Sequence, residues 1–320
     1  MAWRGTLRTI NAAANRAERD SKRRQRELQA QYQSAARMQE FEHAQYEVAV
    51  YENKIDVLGS LHKESSAPWD WQQIAIVPAP ATPAHMHRNK ARAQKERDAY
   101  RPGLLDKLFK RTGKNIARLD RDIVAAQEQD ARDHRAWEED VEMAHRILAG
   151  EEAAYLEALD SVAPFAEIAG LGSVMRYNML STDVVEASLE VNGEHVVPKQ
   201  VKSLLKSGKM SSKPMTKTRF YEIYQDYVCS CALRVGREFF AVLPVKVVIF
   251  TALGELLNKQ TGHLESQPVL SVALVRETFQ RLNYDHVDPS DSMGQFVHEM
   301  KFSKTTGFSP VIRLDAGKFL

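Results

Sequence analysis

Apolar residues recur at heptad spacing in the N-terminal half of the chain. Between Asn11 and His62 there is no proline, and Ala, Glu, Gln and Arg, all good helix formers, dominate. We therefore expect one long helix there. Its second half carries two apolar columns, which predict a coiled-coil seam of about three heptads. The columns are Phe41, Val48 and Ile55, and Ala44, Tyr51 and Leu58.

A second helical region follows a proline-rich break at residues 65–87. Proline removes a backbone donor and blocks helical geometry. Helical periodicity resumes near Arg88, pauses at 101–103 and runs from about 104 to 148. We expect the two seams to pair antiparallel within the chain, with a parallel homodimer as the alternative. The second seam comprises Ile116, Leu119, Ile123, Ala126, Trp137, Ala144 and Ile147.

The periodicity changes after residue 150. We place a helical region at 1–150, a connector at 151–172 and a compact α+β domain at 173–320. Within the last region, strand-like runs occur in the order two strands, helix, two strands, helix. This order predicts a mostly antiparallel sheet with packed helices. The expected fold class is therefore α+β, with a long-helix coiled-coil hairpin preceding the sheet.

Asn192-Gly193 is the main turn signal in this domain. Alternating residues 185–191 predict a half-buried strand, and Asn-Gly favours the positive φ angles of a type I′ turn. We expect that turn to join the strand to a second one over 194–197. A helix over 198–206 and a basic loop are expected to follow.

Downstream, the apolar pattern predicts a long amphipathic helix over 218–242. Apolar strands are expected over 245–251 and 268–275. A final helix is expected over 289–300, with Asp288 as its N-cap.

Composition places the protein among globular chains. Apolar residues make up 43% and charged residues 27%, with a formal net charge of +2. Cys229 and Cys231 are two positions apart in a helical stretch and cannot bridge, which favours reduced core cysteines and a cytoplasmic location. Because no apolar run reaches the ~20 residues of a membrane span, membrane insertion is not expected. Trp3 and nearby arginines leave lipid contact by residues 1–17 as a lesser alternative.

Charge is segregated along the helical half. Residues 88–118 contain eleven Lys or Arg against three acids, whereas residues 120–160 contain thirteen acids against four arginines. Such blocks can attract nucleic acid or a charged partner. The alternative is that the basic and acidic helices neutralise each other, because antiparallel helices use flanking charges to fix their register.

The candidate binding surface is a stretch of seven cations without an acid, interleaved with serines and a glycine. Flexible lysines, hydroxyls and backbone amides suit phosphate oxygens. The stretch matches no phosphate-loop motif, and a solvated loop kept soluble by its charge is the alternative. Tyr221 and Tyr224 are candidate residues for stacking on bases. The cations are Lys199, Lys202, Lys206, Lys209, Lys213, Lys217 and Arg219.

Signatures of catalysis are weak. Glu186, Glu190 and Lys246 could serve a nuclease, but the Asp/Glu-x-Lys pattern on one strand is missing. His85 and His87 lack further metal ligands at structural spacing. We expect no cofactor and no metal.

The leading hypothesis is a non-enzymatic interaction or scaffold protein. It would form a homo-oligomer or bind a protein partner through the helical region, and dock a partner or an anionic ligand through the C-terminal domain. The alternative is a nucleic-acid-binding protein, with a nuclease or a part in defence or genome maintenance as its extension.

Overall fold

The computed structural model describes residues 38–78, 88–103, 109, 111–165 and 174–320. The expected helix before residue 38, the lipid-contact hypothesis for 1–17 and the pair His85 and His87 lie outside these residues. The fold is α+β, as the sequence predicts. Within the described residues, no helix combines the length and the apolar character needed to cross a membrane.

The chain divides into two compact units, each built from separated segments. In its described part, the first unit comprises residues 38–61, 193–230 and 302–308, and the second comprises the other described residues. The boundaries predicted at 150 and 172 stay a prediction.

Five α-helices cover the described N-terminal half. The described part of α1 covers residues 38–60, and its inner face buries three residues of the predicted seam, Ala44, Val48 and Leu58. Coiled-coil pairing of this seam stays a prediction. The others are α2 (Trp71–Ala75), α3 (Arg88–Ala99), α4 (Thr112–Leu148) and α5 (Glu152–Val162).

Helices α3 and α4 lie antiparallel. The Asp130 carboxylate of α4 accepts hydrogen bonds from the Asn89 and Lys90 amides at the start of α3, at 3.0 and 2.9 Å. At the other end of α3, Arg97 Nε lies 3.0 Å from Asp120 Oδ1. An acidic side chain near a helix N-terminus satisfies free amides and complements the helix dipole. Part of the basic segment is therefore neutralised within the chain.

The C-terminal half forms a sheet, a separate hairpin and one long helix. In chain order the elements are β1 (Val174–Met179), β2 (Val184–Glu190), β3 (Gln200–Leu204), β4 (Met210–Pro214), α6 (Lys217–Val242), β5 (Val247–Leu257), β6 (Leu264–Val275), α7 (Arg276–Phe279), α8 (Pro289–Ser292), β7 (Val297–Ser303) and β8 (Gly307–Ser309). Short 3₁₀ helices lie at Leu61–Lys63, Glu194–Val196, Met293–Gln295 and Ala316–Lys318.

The six-stranded sheet has the order β1-β2-β5-β6-β7-β8. Strands β2 and β5 are parallel, whereas β1 with β2, β5 with β6 and β6 with β7 are antiparallel. A parallel pair needs a long crossover, and α6 supplies it. The hairpin β3–β4 is inserted in that crossover, between β2 and α6.

Helix α6 contributes much of the core. Tyr227, Leu233 and Phe239 are almost fully buried, and both cysteines, Cys229 and Cys231, are buried and unbridged. Burial of one large apolar side chain contributes about 1.5–3 kcal/mol. The helix predicted over 218–242 is confirmed as Lys217–Val242, and its predicted apolar face is buried.

The segment between α1 and α2 is held along the C-terminal half of α6. Ser66 donates its amide to Glu238, Trp69 donates its amide to the Ala241 carbonyl at 2.8 Å, and Trp71 Nε1 donates to the Val242 carbonyl at 2.6 Å. We call residues 62–71 the strap. Residues 65–71 of the strap belong to the proline-rich break.

Three predictions of secondary structure are wrong. Gly193 has a φ of −67°, so Asn192-Gly193 is no type I′ turn, and the expected strand at 194–197 contains a 3₁₀ helix. The reason is that β2 already has β1 and β5 on its two edges, which leaves no place for another partner. Residues 198–206 contain β3 instead of a helix. The predicted helix over 289–300 ends at Ser292, although Asp288 caps it as expected, and β7 follows.

Candidate functional site

Five of the seven candidate cations lie on the hairpin β3–β4, on its turn or directly before it, and two lie at the start of α6. The strands pair antiparallel, with Leu204 opposite Met210 next to the turn. Leu205 donates its amide to the Lys209 carbonyl, and Gly208 donates to Leu205, both at 2.9 Å. Gly208 has a φ of +81°, which glycine adopts without strain. We call residues 199–219 the basic hairpin.

The cations of the basic hairpin form two groups. Lys206 and Lys209 lie at the tip, while Lys199, Lys213, Lys217 and Arg219 lie at or near the base. A hydrogen bond of 2.9 Å from the Met215 amide to the Lys199 carbonyl closes the base. Strands of this length span about 17 Å. All six of these side chains are exposed, so the positive charge is spread along the hairpin on accessible groups.

Lys202, the seventh cation, has a different position. Its Nζ donates to Glu47 Oε2 of α1 at 2.5 Å, and both side chains are about one-third exposed. The hydrogen bond and the charge of Lys202 lower the pKa of the Glu47 carboxyl. Lys202 therefore ties the hairpin to α1 and leaves six cations for a ligand.

The hairpin tip lies against α1. A cleft of about 560 Å³ is lined by residues of α1, among them Phe41 and His43, and by Gly208, Lys209 and Met210 of the tip. A Cβ atom built on Gly208 would lie only 2.8 Å from the Phe41 ring. Close packing on Phe41 and the Lys202–Glu47 ion pair thus position the hairpin at two points.

The base of the hairpin leads into the N-terminus of α6. The first turn of this helix contains no acid, although the positive end of the helix dipole favours one. Thr216 accepts hydrogen bonds from the Phe220 amide through its carbonyl and from the Arg219 amide through Oγ1. Lys217 and Arg219 add further positive charge here. An external anion would balance this group of charges.

The two candidate stacking residues differ in accessibility. Tyr224 is 5% exposed and packs against Tyr227 and Phe308, at centroid distances of 6.1 and 5.7 Å. It is therefore part of the core, and a base could reach it only if this packing opened. Tyr221 is half-buried beside Phe220, at 5.4 Å, and its burial raises the pKa of its hydroxyl. Only Tyr221 keeps an accessible side.

Two of the three residues considered for nuclease chemistry, Glu190 and Lys246, have other partners. Glu190 accepts a hydrogen bond of 2.7 Å from Arg176 across β1 and β2, and Glu186 lies half-buried on the same strand. Lys246 is paired with Asp183 at 2.7 Å. In the part of the chain that the structure describes, no three His, Cys, Asp or Glu side chains come together as metal ligands.

Two features of the site could not be found from the sequence. Phe41 fitted a coiled-coil column, yet it contacts the tip of the hairpin. Glu47 has no signal of its own, because its partner Lys202 is 155 positions away.

Comparison with known proteins adds no assignment, since no protein-family model, curated protein or solved structure matches this chain.

Proposed function

We propose that this protein is a non-enzymatic binding protein that holds a polyanion, the phosphate backbone of a nucleic acid, on the basic hairpin. The observation that carries this proposal is the uninterrupted positive charge of residues 195–221, which contain seven Lys or Arg and no Asp or Glu. Six of these seven cations are exposed on an ordered scaffold. A solvated loop would need no such scaffold.

The spacing of the cations favours a long ligand over a small anion. The tip and the base of the hairpin are about 17 Å apart, a distance that covers several phosphates of one strand. Lysine contacts to phosphates position a protein without reading sequence. We therefore expect binding with little sequence preference, in which Tyr221 can add stacking at the base of the hairpin.

A protein-interaction scaffold remains the second candidate function, and one observation favours it. Tyr46, Val50 and Val57 lie on a single face of α1, away from its buried face, and are 66%, 49% and 43% exposed. Exposed apolar residues at helical spacing can bind a partner helix. Such a contact would depend little on salt, whereas phosphate binding weakens steeply as salt rises.

Fluorescence anisotropy with short labelled single- and double-stranded DNA and RNA, at about 50 and 200 mM salt, tests the nucleic-acid proposal. The full chain is compared with a triple variant in which Lys206, Lys209 and Lys213 are replaced by Gln. Each lost phosphate contact should lower the slope of log affinity against log salt by about 0.7–0.9. The triple variant should therefore bind more weakly, with a slope smaller by about two.

A matched variant separates local charge from total charge. Lys54, Lys259 and Lys301 are exposed and lie outside the basic hairpin, so replacing them by Gln removes the same formal charge elsewhere. This control should bind like the unmodified chain. Equal affinity and equal slope of the two triple variants would refute the assignment of the hairpin. A salt-independent oligomer without nucleic-acid binding would instead support the scaffold.

A further inference from the structure

A second cleft lies in the other compact unit, with a volume of about 470 Å³. It is lined by the C-terminal part of α4, by α5, and by Trp69 and Trp71. Clefts of about 300–1,000 Å³ are typical of small-ligand sites. This cleft plays no part in the proposed function of the basic hairpin.

The two tryptophans form a fixed aromatic surface. Their ring centroids are 5.1 Å apart with an interplanar angle of 20°, so the rings are stacked. Trp71 is 7% exposed, and its indole N–H is bound to the Val242 carbonyl, whereas Trp69 is 42% exposed. The Trp69 amide is in turn bound to the Ala241 carbonyl. Trp69 therefore exposes much of its side chain to solvent, while hydrogen bonds to α6 fix its backbone and the neighbouring Trp71.

The charges around the cleft favour a positive ligand. Glu139, Asp140 and Glu142 line it from α4, and none of the three forms an ion pair with another described residue. The single cation of the lining, Arg146, already pairs with Glu157 at 2.8 Å and with a second carboxylate outside the cleft at 2.9 Å. The positive charge of Arg146 is thus neutralised, and the α4 carboxylates are left unbalanced.

Apolar side chains complete the lining. Met143 of α4 and Ala158 and Val162 of α5 are buried or half-buried at the cleft. They suit the methyl or methylene groups that an organic cation carries next to its charge. A bare metal ion would gain nothing from these groups or from the indole face.

We propose that this cleft binds an organic cation, an alkylammonium or guanidinium group, against the face of Trp69 and within reach of the α4 carboxylates. The tryptophan face is the best aromatic partner for such a cation, and the attraction grows as the cation is desolvated. The same chemistry is carried by a small free amine and by a lysine or arginine side chain of a partner polypeptide. The site recognises the shared charged head and its alkyl carbons.

Calorimetric titration of the full chain tests the proposal with three probes. They are choline, its neutral tert-butyl isostere, and a short lysine peptide with blocked ends. We expect saturable binding of choline, the peptide or both, and no binding of the isostere. Binding of choline alone identifies a small free amine as the ligand class, and binding of the peptide alone identifies a polypeptide side chain.

Three variants locate the site. Trp69→Leu keeps an apolar side chain but removes the aromatic face, and should weaken binding by roughly tenfold. Glu142→Gln removes one carboxylate charge and should weaken it severalfold. Glu128→Gln, an exposed acid of α4 outside the cleft, should leave the affinity unchanged. The proposal is overturned if no cationic probe binds, if the isostere binds as well as choline, or if Trp69→Leu behaves like Glu128→Gln.

Discussion

Replacement of Glu238 by Ala should destabilise the fold strongly. Glu238 lies on α6, and its side chain is 0% exposed. One carboxylate oxygen is 2.8 Å from Arg234 Nε, and the two oxygens accept the Ser66 amide at 3.1 and 3.3 Å. The Arg234 side chain is only 9% exposed. The substitution therefore removes the carboxylate that lies 2.8 Å from a buried guanidinium, and it removes the acceptor of one strap amide.

The size of the effect follows from these contacts. Removal of one partner of a buried ion pair costs about 3–5 kcal/mol, because the other charge stays buried. Loss of the acceptor for the Ser66 amide adds to this cost. Glu64 opposes it, since its carboxylate lies 3.5 Å from Arg234 and can take over part of the pairing, although it is 74% exposed. We therefore expect a loss of about 3 kcal/mol in the free energy of unfolding.

Urea unfolding measures this loss, with circular dichroism for the whole chain and with tryptophan fluorescence, to which Trp69 and Trp71 of the strap contribute two of the four tryptophans. Two further variants sharpen the measurement. Glu238→Gln keeps an acceptor for Ser66 and should fall between the unmodified protein and the Ala variant. Glu64→Ala removes only an exposed partner and should cost less than about 1 kcal/mol. If Glu238→Ala lost no more than Glu64→Ala, the ion pair would not stabilise α6 as described.

Two further predictions concern packing and pH. A Cβ on Gly236 would lie 2.5 Å from Leu274 and 3.0 Å from Phe279, so Gly236→Ala should cost about 1–3 kcal/mol in thermal unfolding. A Cβ on Gly113 would have no atom within 4 Å, so Gly113→Ala should instead stabilise its helix by up to about 1 kcal/mol. If the two substitutions changed the stability equally, the close packing around Gly236 would be contradicted. Burial lowers the pKa of His62 below its ordinary 6.5, so the unfolded state binds more protons and stability should fall as pH drops below about 6.5. His62→Gln should flatten that dependence in urea unfolding between about pH 7.5 and 5, and an unchanged profile would exclude His62 as its cause.

Hydrophobic periodicity correctly predicted the helices and strands that are determined by the sequence of the segment itself. The helix over 218–242 appears as Lys217–Val242, and the strands expected over 245–251 and 268–275 belong to β5 and β6. The Asn-Gly signal failed because a turn of that type needs a strand with a free edge, and pairing across a sheet is decided by distant residues. The strand β3 was missed because its short apolar and lysine-rich sequence fits both periodicities.

The sequence predicted which cations make up the candidate site, but not how they are arranged in space. Its cations were identifiable as a run without acids, yet their division between tip and base depends on the pairing of β3 with β4, and the ion pair of Lys202 depends on a contact with α1. The acidic and aromatic cleft shows the same limit. Trp69 and Trp71 stand out in the sequence, but α4 and α5 bring the carboxylates and apolar groups to them.

The hairpin β3–β4 has one more property, which concerns self-association. In the described residues its two strands pair only with each other, so each has an unpaired outer edge with free amides and carbonyls. Such edges are templates on which another chain can add a strand and begin to aggregate. Lysines along the edges and Pro214 in β4 oppose this addition, because charge repels a second copy and proline offers no donor. The positive charge that suits the hairpin to a polyanion therefore also opposes pairing of the hairpin with a second copy of this chain.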